Sequence, residues 1–129
     1  MYIEHLAIWC VDLERMKDFY VRYLGAVANG KYHNPNKQFS SYFLQFEHGP
    51  RLELMQMPGI LYNAAGKVQQ YTGLAHFAIS VGTIGKVNEL TELFRAHGYS
   101  IAGEPRHTGD GYYESIVLDP EGNKIEITV

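Results

Sequence analysis

The stretch GLAHFAIS, residues Gly73–Ser80, decides the fold because its centre repeats the start of the chain. The tetrapeptide HFAI that begins at His76 matches the tetrapeptide HLAI that begins at His5, 71 residues earlier. A glutamate between bulky aliphatic residues follows each copy, Glu53 after His5 and Glu126 after His76. Repetition at a fixed lag indicates two copies of one structural plan, each opening with a histidine and closing with a glutamate.

Length and composition restrict the class of protein. A chain of 129 residues is long enough for one domain, or for two half-size modules that share a core. The hydrophobic share of 46% and the charged share of 19% are typical of a globular protein. A net charge of -3 without a basic run predicts no nucleic-acid partner. We predict one domain over residues 1–129.

Cysteine usage and apolar segments bear on the cellular location. Cys10 is the only cysteine, so no disulfide can form within the chain, which suits a reducing compartment. Glu4, His5 and Asp12 interrupt any apolar core of a signal peptide. No segment reaches the ~18 apolar residues of a membrane span. The expectation is a cytoplasmic protein without a membrane partner.

Each module is predicted to have the element order βαβββ. Module 1 covers residues 1–56, with a helix from the N-cap Asp12 to about Leu24 and Gly25 after it. The segment 33–37 is predicted as a loop. The predicted strands are Tyr2–Cys10, Ala26–Tyr32, Phe39–Glu47 and Arg51–Gln56.

Module 2 covers residues 73–129, with a helix from Lys86 to His97 and Gly98 after it. The intervening residues 57–72 show no periodicity and are predicted as a connection, as a lid over a pocket, or as both. The predicted fold class is α+β, with curled mixed sheets around a shared site. The predicted strands of module 2 are Leu74–Val81, Tyr99–Arg106, Tyr112–Leu118 and Lys124–Val129.

Strand alternation places four polar side chains on equivalent faces of the two modules. The leucines beside Glu53 and the isoleucines beside Glu126 can pack under the helices, so both glutamates face away from them. The bulky neighbours of His5 and His76 oppose the histidines in the same way. A single strand histidine is more often a core or surface residue than a ligand. The repeat favours a convergent set of four.

Two imidazoles and two carboxylates suit a divalent metal of borderline hardness, such as Zn, Ni, Co, Mn or Fe. Four protein ligands in an octahedral field leave two positions for water or substrate. Such a set is typical of a catalytic site rather than a closed structural site.

The residues resemble the vicinal oxygen chelate superfamily, which includes glyoxalases, bleomycin-resistance proteins and dioxygenases, and within it the glyoxalase I (lactoylglutathione lyase) branch. The resemblance covers the whole chain and includes the βαβββ repeat and the histidine near the N-terminus. Its motifs are DLxxMxxFY at Asp12–Tyr20, Leu24-Gly25, GxxH at Gly73–His76 and LDPEGNKIE at Leu118–Glu126.

The resemblance implies a metal held by His5, Glu53, His76 and Glu126, with Zn or Ni expected first. It implies a lyase of methylglyoxal detoxification, in which a thiol hemithioacetal of methylglyoxal becomes a lactoyl thioester. Glu126, with Glu53 as its counterpart, would remove the C1 proton to give an enediolate. The resemblance further implies a homodimer in which each site takes one His–Glu pair from each subunit.

The sequence departs from the bacterial glyoxalase I pattern where glutathione is bound. Trp9 stands where these enzymes usually carry an arginine, and Gln56 and Met57 stand where an asparagine is expected, so the thiol stays open. Trp9, Arg51 and Tyr113 are candidate substrate-binding residues. The alternatives are that Arg51 is a surface charge and that Tyr113 packs across its sheet.

Two other functions stay open within the superfamily. One is a metal-dependent thiol transferase or dioxygenase, whose typical two-His, one-Glu pattern would leave Glu53 unexplained. The other is a drug- or small-molecule-binding protein without catalysis, in which the metal ligands would be dispensable.

Overall fold

The computed structural model describes residues 1–62, 70 and 72–129. The chain forms two compact units, Met1–Asn63 and Ala64–Val129, and each has one α-helix and one sheet. Of the predicted linker 57–72, residues 63–69 and 71 lie outside the described residues, and its role as a lid stays a prediction. In the part of the chain that is described, no helix is both long and apolar enough to cross a membrane.

The elements of the first unit are β1 (His5–Trp9), α1 (Leu13–Leu24), β2 (Val27–Ala28), β3 (Tyr32–Asn34), β4 (Phe39–Gln45) and β5 (Arg51–Gln56). Its strands form a mixed sheet in which β1 and β5 are parallel and all other neighbours are antiparallel. The strand order is β1-β5-β4-β2, and β3 also pairs with β4.

Helix α1 begins and ends where local chemistry dictates. The Asp12 carboxylate accepts a hydrogen bond from the Arg15 backbone N–H at 3.0 Å and caps the first turn. Gly25 ends the helix in the left-handed region, with φ 68°. The buried face of α1 packs on one face of the sheet, and each fully buried large side chain contributes roughly 1.5–3 kcal/mol. The buried residues of this core include Leu13, Met16, Phe19, Tyr20, Leu44, Leu52 and Leu54.

The elements of the second unit are β6 (Phe77–Ser80), α2 (Ile84–Ala96), β7 (Ile101–His107), β8 (Tyr113–Leu118) and β9 (Lys124–Thr128). The unit repeats the arrangement of the first with the sheet order β6-β9-β8-β7, in which β6 and β9 are parallel. Thr83 caps α2 by accepting a hydrogen bond from the Lys86 N–H at 3.2 Å. The core of the unit lies between α2 and the sheet, where Phe94, Ile125 and Ile127 are fully buried.

The α+β class with two mixed sheets is confirmed, and several predicted element bounds were wrong. The single strand predicted over 26–32 is two short strands, and His33 and Asn34 belong to β3 rather than to a loop. The Asn34 side chain accepts from the backbone N–H groups of the following turn, so the chain reverses there and β3 pairs with β4. β6 begins at Phe77 rather than at Leu74, and its pairing with β9 starts with Phe77 opposite Ile125.

Candidate metal centre

In the first unit, His5 and Glu53 lie together on the face of the sheet opposite α1, which we call the site face of that unit. Alternation along β1 exposes His5, Ala7 and Trp9, while the intervening residues turn toward the helix. The His5 Nε2 atom is 3.8 Å from Glu53 Oε2. The Glu53 side chain is only 15% exposed and that of His5 is 39% exposed, so the carboxylate sits deeper than the imidazole.

In the second unit, His76 and Glu126 form the equivalent pair on the face opposite α2, the site face of that unit. The flanking residues Ile125 and Ile127 are fully buried against the helix side, so Glu126 points the other way. The His76 Nε2 atom lies 3.2 Å from Glu126 Oε2. Exposures of 45% and 16% repeat the pattern of an accessible imidazole above a covered carboxylate.

The spacing of each pair fits the ligand shell of a divalent metal. Two nitrogen and oxygen ligands of one zinc ion, each about 2.0–2.2 Å from it, lie roughly 2.8–3.5 Å apart when they are adjacent. The 3.2 Å separation of His76 and Glu126 falls in that range, and the 3.8 Å separation of His5 and Glu53 needs a shift of a few tenths of an ångström. The spacing of each pair is therefore compatible with half of the predicted four-ligand set.

Each unit brings two of the predicted ligands together and not a complete shell. Over residues 1–62, 70 and 72–129, no group of three or more His, Cys, Asp or Glu side chains is arranged to hold a metal ion. The structure therefore brings the four predicted ligands together two by two. That all four converge on one ion stays a prediction.

Arg51 is the candidate substrate residue that lies nearest to the first pair. It sits opposite His5 in the pairing of β1 with β5, so it shares the site face. Its guanidinium stacks over the Phe43 ring at 4.1 Å and donates two hydrogen bonds to the Glu4 carboxylate, one of them from Nε at 2.8 Å. Arg51 is thus already paired in this structure.

Glu4 is a residue of this site that sequence reasoning missed. Its carboxylate contacts His5 Nδ1 at 2.5 Å and is bonded on its other oxygen by Arg51. The hydrogen bond to His5 and the Arg51 guanidinium together hold the pKa of Glu4 below its ordinary value. The only signal in the sequence is that Glu4 directly precedes a candidate ligand.

Trp9 extends the site face of the first unit with an aromatic surface. It is 41% exposed and meets Phe39 edge to face at 6.2 Å, and Phe39 in turn meets Tyr32. Gln56 is not directed toward His5, because its side-chain amide donates to the Val11 carbonyl oxygen at 2.5 Å. The position at which the resemblance predicts an arginine is therefore occupied by the Trp9 indole, which packs against the Phe39 ring.

Tyr113 is not brought together with His76 and Glu126. It shares its face of β8 with the buried Ser115, and its hydroxyl donates to Asn88 Oδ1 of α2 at 2.9 Å, so it lies on the helix side of the sheet. Its ring packs across the strands against His107 at 4.8 Å. This placement is that of a cross-strand packing residue.

The class of protein is defined by two units of this kind. Each unit has a histidine at or just before its first strand and a glutamate in its last strand. The chain belongs to the glyoxalase/bleomycin resistance protein/dioxygenase superfamily, whose sequence profile matches residues 2–127. The chain is 32% identical to a lactoylglutathione lyase of Arabidopsis thaliana over 127 residues, which are 95% of this chain and 42% of that protein. It therefore spans less than half the length of that relative.

Shorter relatives and solved structures agree with this membership. A lactoylglutathione lyase of Escherichia coli O157:H7 is 30% identical over 129 residues, which cover 98% of this chain and 91% of the relative. The trypanothione-dependent glyoxalase I of Leishmania major superposes with a TM-score of 0.77 at 27% identity, covering 99% of this chain and 86% of that one. A domain of the same superfamily from Frankia superposes with a TM-score of 0.82 at 15% identity, covering 100% and 97%, which shows the fold.

Proposed function

We propose that the chain is a divalent-metal-dependent lyase of the glyoxalase I type, which converts the hemithioacetal of methylglyoxal and a thiol into a lactoyl thioester. The observation that carries this proposal is the presence of one His–Glu pair at the same place in each unit. The glutamate Glu53 distinguishes the set from a two-His, one-Glu pattern. The lactoylglutathione lyases among the relatives support the same reaction.

The residues proposed to hold the metal are His5, Glu53, His76 and Glu126, with Zn or Ni as the first choice and Co, Mn or Fe as alternatives. When bound, a divalent metal supplies Lewis-acid stabilisation to the two vicinal oxygens of the substrate. The accessible imidazoles leave room beside each pair for a small molecule to approach.

Glu126 is the proposed base. Its carboxylate accepts the proton from C1 of the hemithioacetal and returns it to C2, so the reaction is an isomerisation with no net gain or loss of protons or electrons. A carboxylate that is only 16% exposed is shielded from bulk water and can keep the proton between the two steps. Glu53 is proposed to face the substrate from the opposite side.

A homodimer is proposed to complete the site. Under twofold symmetry, the first pair of one subunit can meet the second pair of its partner, and the operation creates two identical sites. Because each unit alone supplies only two ligands, such pairing gives a full shell of four. We propose the cytoplasm as the location, which is compatible with the buried thiol of Cys10.

The shared site can be tested by mixing two inactive variants. His5→Ala and His76→Ala each break one ligand pair, so each homodimer should lose metal-dependent turnover. If the sites are shared, random exchange of subunits restores one complete site in each mixed dimer, and roughly a quarter of the wild-type activity returns. If mixing restores none, although the mixed dimers form, the shared site is wrong.

The proposal leaves the identity of the thiol open. Trp9, which packs on Phe39, stands where an arginine would bind the carboxylate of glutathione. The assay therefore uses metal-free protein reconstituted in parallel with Ni, Zn, Co or Mn. Thioester formation is followed from methylglyoxal with glutathione and, separately, with a small neutral thiol. Metal-dependent turnover with the neutral thiol but not with glutathione would support the proposed reaction and exclude glutathione as the thiol.

Glu126→Gln is the decisive variant, with an expected loss of at least about 10²-fold in kcat while metal stays bound. Glu47→Gln is the matched control, since Glu47 is 91% exposed and its carboxylate lies 3.8 Å from the imidazole of the adjacent, exposed His48. If the wild-type protein binds the metal stoichiometrically but forms no thioester with any thiol tested, the proposed lyase activity is wrong. Dioxygen uptake or a thiol–drug adduct would then identify the other enzyme classes.

A further inference from the structure

We propose that Glu4 is a positioning residue that fixes the orientation and the tautomer of the His5 imidazole, so that Nε2 is the ligand nitrogen. The inference rests on the proposed metal site and adds a residue outside the four ligands. It is carried by the contact between Glu4 Oε2 and His5 Nδ1 at 2.5 Å. The opposite nitrogen, Nε2, is the one directed at Glu53, at 3.8 Å.

The chemistry of the contact determines which nitrogen carries the proton. An ionised carboxylate only accepts hydrogen bonds, so a neutral imidazole bonded to it through Nδ1 must carry its proton there. The lone pair then lies on Nε2, on the side of Glu53. A histidine ligand whose second nitrogen donates to a carboxylate is both oriented and made more basic by that partner.

Arg51 holds Glu4 in the orientation that this contact needs. Its guanidinium bonds Glu4 Oε1, which leaves Oε2 for His5. The Arg51 backbone N–H also donates to the Glu4 carbonyl oxygen at 3.0 Å, so the two residues are tied by main chain and side chain together. The Phe43 ring contacts both Arg51 and His5. The Arg51 guanidinium stacks on this ring, and the His5 ring meets it edge to face at a centroid distance of 5.4 Å.

The second unit offers an internal comparison. Ala75 precedes His76 in the place of Glu4, and Lys124 stands at the position equivalent to Arg51. His76 still directs Nε2 at Glu126, at 3.2 Å, but the residue before it has no carboxylate. The contact between a carboxylate and the ligand imidazole therefore belongs to the first pair, in which the His5 and Glu53 atoms are farther apart than those of His76 and Glu126.

The first test reads the tautomer directly in metal-free protein. Nitrogen-15 NMR of the histidine rings, at a pH where the imidazoles are neutral, should show His5 protonated on Nδ1 in the wild type. In Glu4→Ala this preference should be lost, while the tautomer of His76 stays unchanged. A His5 ring that keeps the same tautomer in Glu4→Ala would overturn the inference, whatever the metal does.

The second test measures binding of Ni²⁺ alone, by competition with a chromophoric chelator. Glu4→Ala should raise the dissociation constant roughly 10–100-fold, as expected when the carboxylate behind a ligand histidine is removed. Glu4→Gln keeps an acceptor oxygen and should recover most of the affinity. The matched control is Glu47→Ala, which removes an equal charge next to the exposed His48 and should change nothing.

The outcomes separate this inference from the proposed function. If the wild type binds Ni²⁺ tightly and Glu4→Ala binds it equally well, the positioning role is wrong and the metal site stands. If the wild type binds no divalent metal while His5 shows the Nδ1 proton in a Glu4-dependent way, the positioning contact is confirmed and the proposed metal function fails.

Discussion

Ala7 lies directly opposite Glu53 in the parallel pairing of β1 with β5, and Ala78 holds the same place opposite Glu126 in the pairing of β6 with β9. Each alanine follows its histidine by two residues and shares its face. On that side, only a methyl group stands beside each glutamate. The cross-strand neighbour of each carboxylate on this side is therefore no larger than a methyl group.

Filling this space should impair the site without unfolding the protein. Ala78→Leu places an isobutyl group beside Glu126, and we expect metal affinity to fall about tenfold, because the added bulk shifts the carboxylate away from the position that a ligand needs. Because Ala78 is exposed, the free energy of unfolding should stay within about 0.5 kcal/mol of the wild type. Ala102→Leu, at an exposed position of β7, is the control. Unchanged metal affinity in Ala78→Leu would show that the space is not used.

The buried hydroxyl pair of Thr91 and Ser115 should be a measurable source of stability. The two oxygens are 2.7 Å apart, both residues are fully buried, and Thr91 Oγ1 also donates to the Val87 carbonyl. Ser115→Ala should lower the free energy of unfolding by about 1–3 kcal/mol, because a buried hydroxyl loses its partner. Urea denaturation of Ser115→Ala, Thr91→Val and the double variant measures the coupling. Strictly additive losses would show that the contact contributes nothing.

Glu14 should give the first unit an acid-sensitive component of stability. Lys17 and Lys31 lower the pKa of its carboxyl from 4.5 to about 2. Because the folded pKa lies below the unfolded one, the stabilisation is complete above about pH 4.5 and is lost as the pH falls toward 2. The side chain is half exposed, so the contribution is about 1 kcal/mol or less.

Urea titrations of Glu14→Gln between pH 7 and pH 2 check this expectation. The variant should be less stable than the wild type at pH 7, and the difference should shrink as the pH falls through the range from 4.5 to about 2. Glu89→Gln, which removes an exposed contact to Lys86, should change stability less. A difference that is constant with pH would contradict the role of the Glu14 charge.

Two glycines without close neighbours should respond to alanine in opposite directions. A Cβ at Gly25 or at Gly85 would meet nothing within 4 Å, so packing is equal at the two sites. Gly25 has φ 68°, where alanine costs about 1–2 kcal/mol. Gly85 lies in α2, where alanine gains roughly 0.5–1 kcal/mol. Thermal unfolding distinguishes them, and a stabilised Gly25→Ala would refute the backbone argument.

The helices and the two His–Glu pairs could be predicted from the sequence because local rules govern them. Asp12 and Gly25 mark the ends of α1 by capping chemistry, and both were placed correctly. Alternation in strands of period two put the histidines and glutamates on the face away from the helices. The repeat then made the pattern specific.

Other features depend on contacts that local rules do not describe. Alternation assigns Glu4 to the face opposite His5, but β1 begins at His5, so the Glu4 side chain is free to turn back onto the imidazole. The sequence offers Tyr113 as a candidate substrate-binding residue, yet the register of β8 with β9 turns it toward α2. Both outcomes are set by strand register and strand ends, which a single sequence leaves open.

In each unit the first strand pairs in parallel with the last, so the histidine and its glutamate are joined only when the two ends of the unit meet. His5 and Glu53 are separated by the helix and by every other strand of the first unit. Contacts of such long sequence separation form late, since the entropy of closing the chain must be overcome first. A chain in which these strands have not yet paired thus has no His–Glu pair, so uptake of a cation by the proposed site would require both units to be folded.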